Sequence, residues 1–77
     1  MNTVAVVGIK PVDYTSRKSG RPVRGSEIHY EYEDTRVNGI AVDHDYIAGD
    51  GAAGVSVGDN VILVRDRNGR VTGLIKA

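Results

Sequence analysis

The chain has 77 residues, enough for one small domain, and we expect residues 1–77 to form a single unit. A domain of this size buries only about 60% of the surface of its unfolded chain, so its core is thin. The absence of cysteine excludes disulfides and thiolate metal sites. Ten basic and ten acidic residues cancel, so the net charge by itself does not indicate a nucleic-acid-binding protein.

The first predicted strand contains the apolar residues 4–9, Val-Ala-Val-Val-Gly-Ile, and continues to Tyr14. Such a run is typical of a strand that is buried on both faces or passes from one face to the other. Pro11 has no N–H to donate, so the strand lies at an edge or bends there. The apolar run is too short for a signal sequence or a membrane span, and we expect a soluble, cytoplasmic protein.

The segment between the first two strands, residues 14–24, contains four cations and no acid: Arg17, Lys18, Arg21 and Arg24. A Ser-Gly pair at its centre and a proline near its end predict a long, mobile hairpin tip. The second strand begins near Val23, and its residues 27–33 alternate in character. Ile28, Tyr30 and Tyr32 share one face, and the other face carries Glu27, His29, Glu31 and Glu33. This alternation predicts a half-buried antiparallel strand with an acidic outer face.

The third strand is predicted at residues 37–43. Residues 43–53 are the only candidate for a helix, and their glycines limit it to at most one short turn near residues 45–48. The fourth strand is predicted at residues 60–65 and the fifth at residues 70–76. Between them, Asn68-Gly69 is a strong hairpin signal, because both residues tolerate the positive φ of tight turns.

Five short strands and little helix predict an all-β fold. An open five-stranded sheet without a helix would leave one face wet and its edges exposed, and closure removes both problems. We therefore predict a small five-stranded antiparallel barrel of the OB type. The hairpin tip lies between strands 1 and 2 and a longer connection between strands 3 and 4. An SH3-like barrel is the alternative.

The charges are arranged in blocks although they sum to zero. Residues 10–24 carry net +4, residues 27–34 net −4 and residues 65–76 net +3. Both basic blocks contain hairpin turns, and in OB folds the loops after strands 1 and 4 border the groove that takes oligonucleotides. Cations there neutralise phosphates, and Tyr14 is the best candidate to stack on a base. The predicted nucleic-acid-binding residues are Tyr14, Arg17, Lys18, Arg21, Arg24, Arg65, Arg67 and Arg70.

Metal binding and catalysis are not predicted. A metal site could draw on His29, His44 and a carboxylate only if the strands bring them together, and isolated histidines in strands are usually surface residues. Without cysteine, and with scattered serines and threonines, the chain has no evident pair of nucleophile and base, so we expect no enzyme and no cofactor. We expect Tyr30 and Tyr32 in the core, with a surface position as the alternative, and Tyr46 packed under the long loop.

The Lys-Ser-Gly-Arg-Pro tip at residues 18–22, between a short first strand and an aromatic second strand, resembles the small single-stranded-DNA-binding proteins of filamentous phages. The resemblance covers mainly residues 4–33. It implies an OB-type barrel, a two-fold dimer, and DNA held by basic and aromatic residues, here Arg17, Lys18, Arg21 and Tyr14. The chain is also similar to small proteins found in phage and mobile-element gene sets of Gram-positive bacteria.

We therefore expect a non-catalytic protein that binds single-stranded DNA or RNA as a homodimer. The alternative is a small protein-interaction or structural β-barrel module with no affinity for nucleic acid. In that alternative, the acidic face of one copy meets the basic tip of another, which gives a head-to-tail or two-fold assembly.

Overall fold

The computed structural model describes residues 3–77. These residues form five strands and no helix: β1 (Thr3–Thr15), β2 (Pro22–Tyr32), β3 (Ala41–Ala48), β4 (Asn60–Arg65) and β5 (Val71–Lys76). The strands make one antiparallel sheet in the order β3-β2-β1-β4-β5. The prediction of an all-β fold with five antiparallel strands is therefore confirmed. Residues 3–77 contain no helix that is long and apolar enough to cross a membrane.

The strand order is that of a Greek key. β1, β2 and β3 follow one another across the sheet, and β4 returns through a long connection to lie beside β1. β3 and β5 are the two edges, and they approach each other without forming a strand ladder between them in the described chain. The connection after β3 links them, because the Leu74 N–H donates to the Gly51 carbonyl oxygen at 3.3 Å. The sheet is curled but not closed, so the predicted barrel is not confirmed.

The core is made by inward-facing residues of all five strands: Val4, Val6, Ile28, Tyr30, Ile47, Val61 and Val71. The register of β1 against β2 shifts between Val6 and Gly8, which leaves Val7 without a partner on β2. This bulge allows Val6 and Ile9 to face the core together, although strict alternation would put them on opposite faces. β1 therefore combines a bend with a continuous apolar inner side.

The short helical turn predicted near residues 45–48 is wrong, because these residues belong to β3. The start predicted for the third strand is also wrong. Residues 34–37 form a turn, in which the Val37 N–H donates to the Asp34 carbonyl oxygen at 3.0 Å, and the chain bends at residues 37–39 before β3 begins. β3 does alternate, with Ala41 and Ile47 buried on the inner side. Pairing along the whole of β3 with β2 outweighs its weak local preference for a helical turn.

Candidate nucleic-acid interface

The β1–β2 hairpin extends beyond the rest of the sheet. The last partner of β3 on β2 is Gly25, and the last partner of β4 on β1 is Ala5. Residues 12–24 therefore form a two-stranded arm with no third strand beside it in the described chain. We call this arm the basic ribbon. Its strands run to Thr15 and Pro22, so the turn at its end comprises residues 16–21 and is shorter than the predicted tip.

The turn of the basic ribbon is held by its own backbone. The Ser16 N–H donates to the Arg21 carbonyl oxygen at 2.9 Å, and the Gly20 N–H donates to the Ser16 carbonyl oxygen at 2.8 Å. Gly20 has a φ of 69°, a left-handed conformation that glycine adopts without steric cost. The Ser-Gly pair noted in the sequence therefore shapes a defined turn.

The cations of this turn are exposed on the surface. Arg17, Lys18 and Arg21 are all exposed, and none of them forms an ion pair within residues 3–77. Arg24 differs, because its Nε lies 3.4 Å from Oδ1 of Asp13, its direct cross-strand neighbour. Three of the four predicted cations of the ribbon thus carry uncompensated charge, and the charge of Arg24 is partly offset.

Two exposed tyrosines lie on the outer side of the basic ribbon. Tyr14 is 57% exposed and pairs with Val23. Tyr46, from β3, is 42% exposed, and its ring lies over Gly25, where its hydroxyl group donates to the Arg24 carbonyl oxygen at 3.0 Å. Tyr46, predicted to pack under the long loop, is instead a second exposed ring beside the ribbon. The sequence does not predict this position, because it favours a helical turn near residues 45–48 and not a strand.

The other predicted basic residues, Arg65, Arg67 and Arg70, lie at the opposite end of the sheet. Ile62 of β4 is opposite Thr3, so the β4–β5 turn lies beyond the start of β1, whereas the basic ribbon follows its end. A strand of this length spans about 40 Å at about 3.3 Å per residue. The Asn68-Gly69 turn itself forms as predicted, with a φ of 82° at Gly69. The structure does not bring the two basic groups together.

The tyrosines of β2 face the core. Tyr30 is 3% exposed, and its hydroxyl group donates to Oδ2 of Asp45 at 2.5 Å. Burial raises the pKa of Tyr30 far above its ordinary value, and the hydrogen bond to Asp45 and the charges of Asp45 and Asp43 raise it further. Tyr32 is half-buried and packs against the core. The expectation of a core position is confirmed for Tyr30, whereas Tyr32 packs against the core and stays half-buried.

A second group of polar side chains lies on the outer side of β2 and β3. His29 and His44 are direct cross-strand partners, and their rings stack with centroids 5.2 Å apart and an interplanar angle of 26°. Glu27, two positions before His29 on the same side, places Oε1 2.9 Å from Nε2 of His29. The strands therefore bring together two histidines and a carboxylate, which a metal site in this chain requires. The sequence did not reveal this arrangement because the predicted third strand stopped at residue 43.

Comparisons with models of known protein families, with curated proteins and with solved structures find no match to this chain. The resemblance to the phage single-stranded-DNA-binding proteins therefore stays a prediction. A functional proposal for this protein depends on the geometry of its own residues.

Proposed function

We propose that the protein is a non-catalytic, single-stranded nucleic-acid-binding protein that holds its ligand on the basic ribbon. Arg17, Lys18 and Arg21 neutralise phosphates of DNA or RNA, and Tyr14 stacks on a base. The observation that carries the proposal is a turn that projects beyond the sheet with three exposed cations, none of which forms an ion pair within residues 3–77.

The exposed tyrosines favour a single strand over a duplex. A ring can stack on a base only when the base is not already stacked within a double helix, and each such contact contributes about 1–3 kcal/mol. Tyr14 and the ring of Tyr46 lie on the same side of the basic ribbon. Tyr14 is opposite Val23, and the Tyr46 ring covers Gly25, the next residue on that face, which is roughly 7 Å away along β2. Adjacent bases of an extended strand could therefore contact both rings, and Tyr46 adds to the predicted set.

The architecture supports an OB-like barrel that is open between β3 and β5. OB folds are partly open five-stranded Greek-key barrels, and they take oligonucleotides on the face of strands 2 and 3. In this chain that outer face carries Glu27 and Glu31. Because these carboxylates repel phosphates, we place the contact on the basic ribbon, next to this face and not on it.

The remaining predicted residues have lesser roles in this proposal. Arg24 contributes less than its neighbours at the turn, because Asp13 offsets its charge. Arg65, Arg67 and Arg70 form a separate contact at the far end of the sheet, which only a long oligonucleotide reaches together with the basic ribbon.

The proposal is tested by fluorescence anisotropy with a labelled single strand of about six nucleotides, which is at the short end of the site sizes of OB folds. Three phosphate contacts predict that log K falls with log salt with a slope of about −2. The variant with Arg17→Gln, Lys18→Gln and Arg21→Gln should lose nearly all affinity. The matched control carries Arg65→Gln, Arg67→Gln and Arg70→Gln, which removes the same charge from the opposite end.

The control variant should bind the short oligonucleotide almost as well as the native protein and should lose affinity only for longer strands. Tyr14→Ala should weaken binding by about 1–3 kcal/mol, whereas Tyr14→Phe should retain it, because stacking needs the ring and not the hydroxyl group. An equal loss in both triple variants, or no binding by the native protein at low salt, would refute the proposal.

A second candidate, a protein-interaction module, is favoured by the free edge of β1. From Gly8 to Thr15, β2 is the only strand beside β1 in the described chain, so the backbone on the other side is open to pairing with another strand. Pairing with a second copy through this edge would give the expected homodimer. Sedimentation separates the candidates: this one predicts a dimer or a stable protein complex from a protein that binds no oligonucleotide.

A further inference from the structure

We propose that Glu27, His29 and His44 form a binding site for a divalent transition-metal ion of the Zn²⁺ class on the outer side of β2 and β3. The site uses none of the cations or tyrosines proposed to bind nucleic acid, although Glu27 is the cross-strand partner of Tyr46.

The backbone brings the three ligands together. His29 and His44 are opposite each other, which puts their Cβ atoms about 5 Å apart, and Glu27 is the next residue of β2 on the same side. One imidazole nitrogen from each histidine and one Glu27 carboxylate oxygen all lie within 4.8 Å of one another. Tetrahedral ligands at about 2.1 Å from Zn²⁺ are about 3.4 Å apart. Small side-chain rotations are enough to close this set around an ion.

The types of the ligands select the class of ion. Two imidazoles and one carboxylate suit Zn²⁺, Ni²⁺ or Cu²⁺, whereas Mg²⁺ and Ca²⁺ prefer oxygen ligands alone. His44 is exposed, and Glu27 and His29 are half-buried. An ion held by these three side chains would keep at least one position open to water, because Zn²⁺ in proteins is usually four-coordinate.

The surroundings leave room for an ion beside the rings. Gly8, the neighbour of His29 on β1, has no side chain to cover this face. Val7 and Val42 form the apolar wall of a shallow depression that the two histidines border. The contact with Glu27 engages Nε2 of His29, but the ring nitrogens of His44 make no hydrogen bond to the part of the chain that the structure describes. A ring nitrogen of His44 therefore has a lone pair that is available to bind an ion at this site.

Bound metal would join two neighbouring strands that are otherwise held by their backbones and by packing. It would also reduce the negative charge of the outer side, to which Glu27 and Glu31 contribute. Because an ion that binds only the folded state stabilises that state by mass action, metal binding should raise the unfolding temperature.

The experiment is isothermal titration of tag-free protein with Zn²⁺, followed by NMR of the histidine ring signals. We expect one ion per chain and shifts of both His29 and His44. Glu27→Gln and His44→Gln should each lower the affinity by at least roughly 10- to 100-fold, the loss that removal of a mere supporting residue typically produces. His44 is exposed, so its replacement should leave the fold intact, which the dispersion of the NMR spectrum reports.

The matched control is Glu31→Gln, which removes the same charge from the same side of β2, two residues beyond His29. Its affinity should stay within about threefold of the native value, because a charge that does not touch the ion acts only through a field screened by water and salt. The assignment is overturned by an equal loss in Glu31→Gln and Glu27→Gln. It is also overturned by unchanged affinity in His44→Gln, or by the absence of Zn²⁺ binding to the native protein.

Discussion

Tyr30 packs its ring in the core and also forms a hydrogen bond to an acidic side chain on the inner side of the sheet. Its ring is buried, and its hydroxyl group reaches Asp45, which occupies an inward position of β3 between Ala41 and Ile47. A carboxylate on the inner side of a sheet is unfavourable unless it has a hydrogen-bond partner. Tyr30 supplies that partner, so β3 keeps its register although the inner side of this strand is not wholly apolar.

We predict that Tyr30→Phe lowers the free energy of unfolding by about 1–3 kcal/mol, because a hydrogen bond to a charged acceptor is lost while the ring stays in place. Tyr32→Phe is the control: no hydrogen bond of the Tyr32 hydroxyl group is found within residues 3–77, and its loss should change the stability by less than about 0.5 kcal/mol. Urea unfolding of both variants measures the difference. Equal effects would contradict the role of the Asp45 contact.

The raised pKa of Tyr30 adds a dependence on pH. The folded protein holds the phenolic proton more tightly than the unfolded chain does, because burial and Asp45 disfavour the phenolate. The stabilisation is therefore complete below the ordinary phenol pKa of about 10 and is lost as the pH rises above it. We expect the stability difference between the native protein and Tyr30→Phe to shrink above that pH, as measured by urea unfolding at a series of alkaline pH values. A difference that is constant with pH would contradict this assignment.

Among the elements, β1 depends on a bulge to keep its apolar residues on one side. Val7 has no partner on β2 and is exposed, whereas Val4 and Val6 before it and Ile9 after it face the core. Because side chains alternate along a strand, removal of the one unpaired residue leaves the three apolar residues on the same side. Removal of a paired residue does not.

We predict that deletion of Val7 preserves the fold, whereas deletion of Ala5 moves Val4 out of the core. Exposing a buried valine lowers the stability by about 1.5–3 kcal/mol, and the register with β4 at Ala5 is lost as well. Thermal unfolding compares the two deletions. NMR tests whether Gly8 still pairs with His29 in each variant. A deletion of Val7 that unfolds the protein as much as deletion of Ala5 would show that the bulge itself is required.

The elements also show how far the sequence alone could be read. Alternation predicted β2 because Ile28, Tyr30 and Tyr32 mark one face clearly, and β4 was predicted with its observed bounds. β3 was placed too early in the chain because Asp43 and Asp45 take inward positions that alternation assigns to apolar residues. Only pairing with β2 reveals that pattern. The same pairing creates the His29–His44 contact, so the histidine cluster could not be predicted before β3 was placed.

For the whole molecule, the arrangement of charge depends on register more than on composition. The sequence identified two basic blocks correctly, but their distance follows from the pairing of Thr3 with Ile62, which puts the β4–β5 turn beyond the start of β1. The basic ribbon likewise projects beyond the sheet because β3 pairs with β2 only as far as Gly25. Long-range pairing of this kind leaves no local pattern in the chain, which is why one shared groove was expected.

The curl of the whole sheet depends on a close contact between Gly51 and β5. A Cβ on Gly51 would lie 2.8 Å from the Thr72 carbonyl oxygen and 2.5 Å from a methyl group of Ile47. Gly51 does not have a left-handed φ, so alanine there would be free of backbone strain and would act only through crowding. Gly73, on β5, is a matched site: a Cβ there would meet nothing closer than the Gly51 carbonyl oxygen at 3.6 Å.

We therefore predict that Gly51→Ala separates the two edges of the sheet and lowers the free energy of unfolding by about 1–3 kcal/mol, the usual effect of overpacking. Gly73→Ala should be neutral or stabilising by up to about 1 kcal/mol, because alanine restricts the unfolded chain. Hydrogen exchange at the Leu74 amide, which donates to Gly51, reports the separation directly. If Gly51→Ala neither speeds exchange at this amide nor lowers the stability, the two edges do not depend on each other for their position.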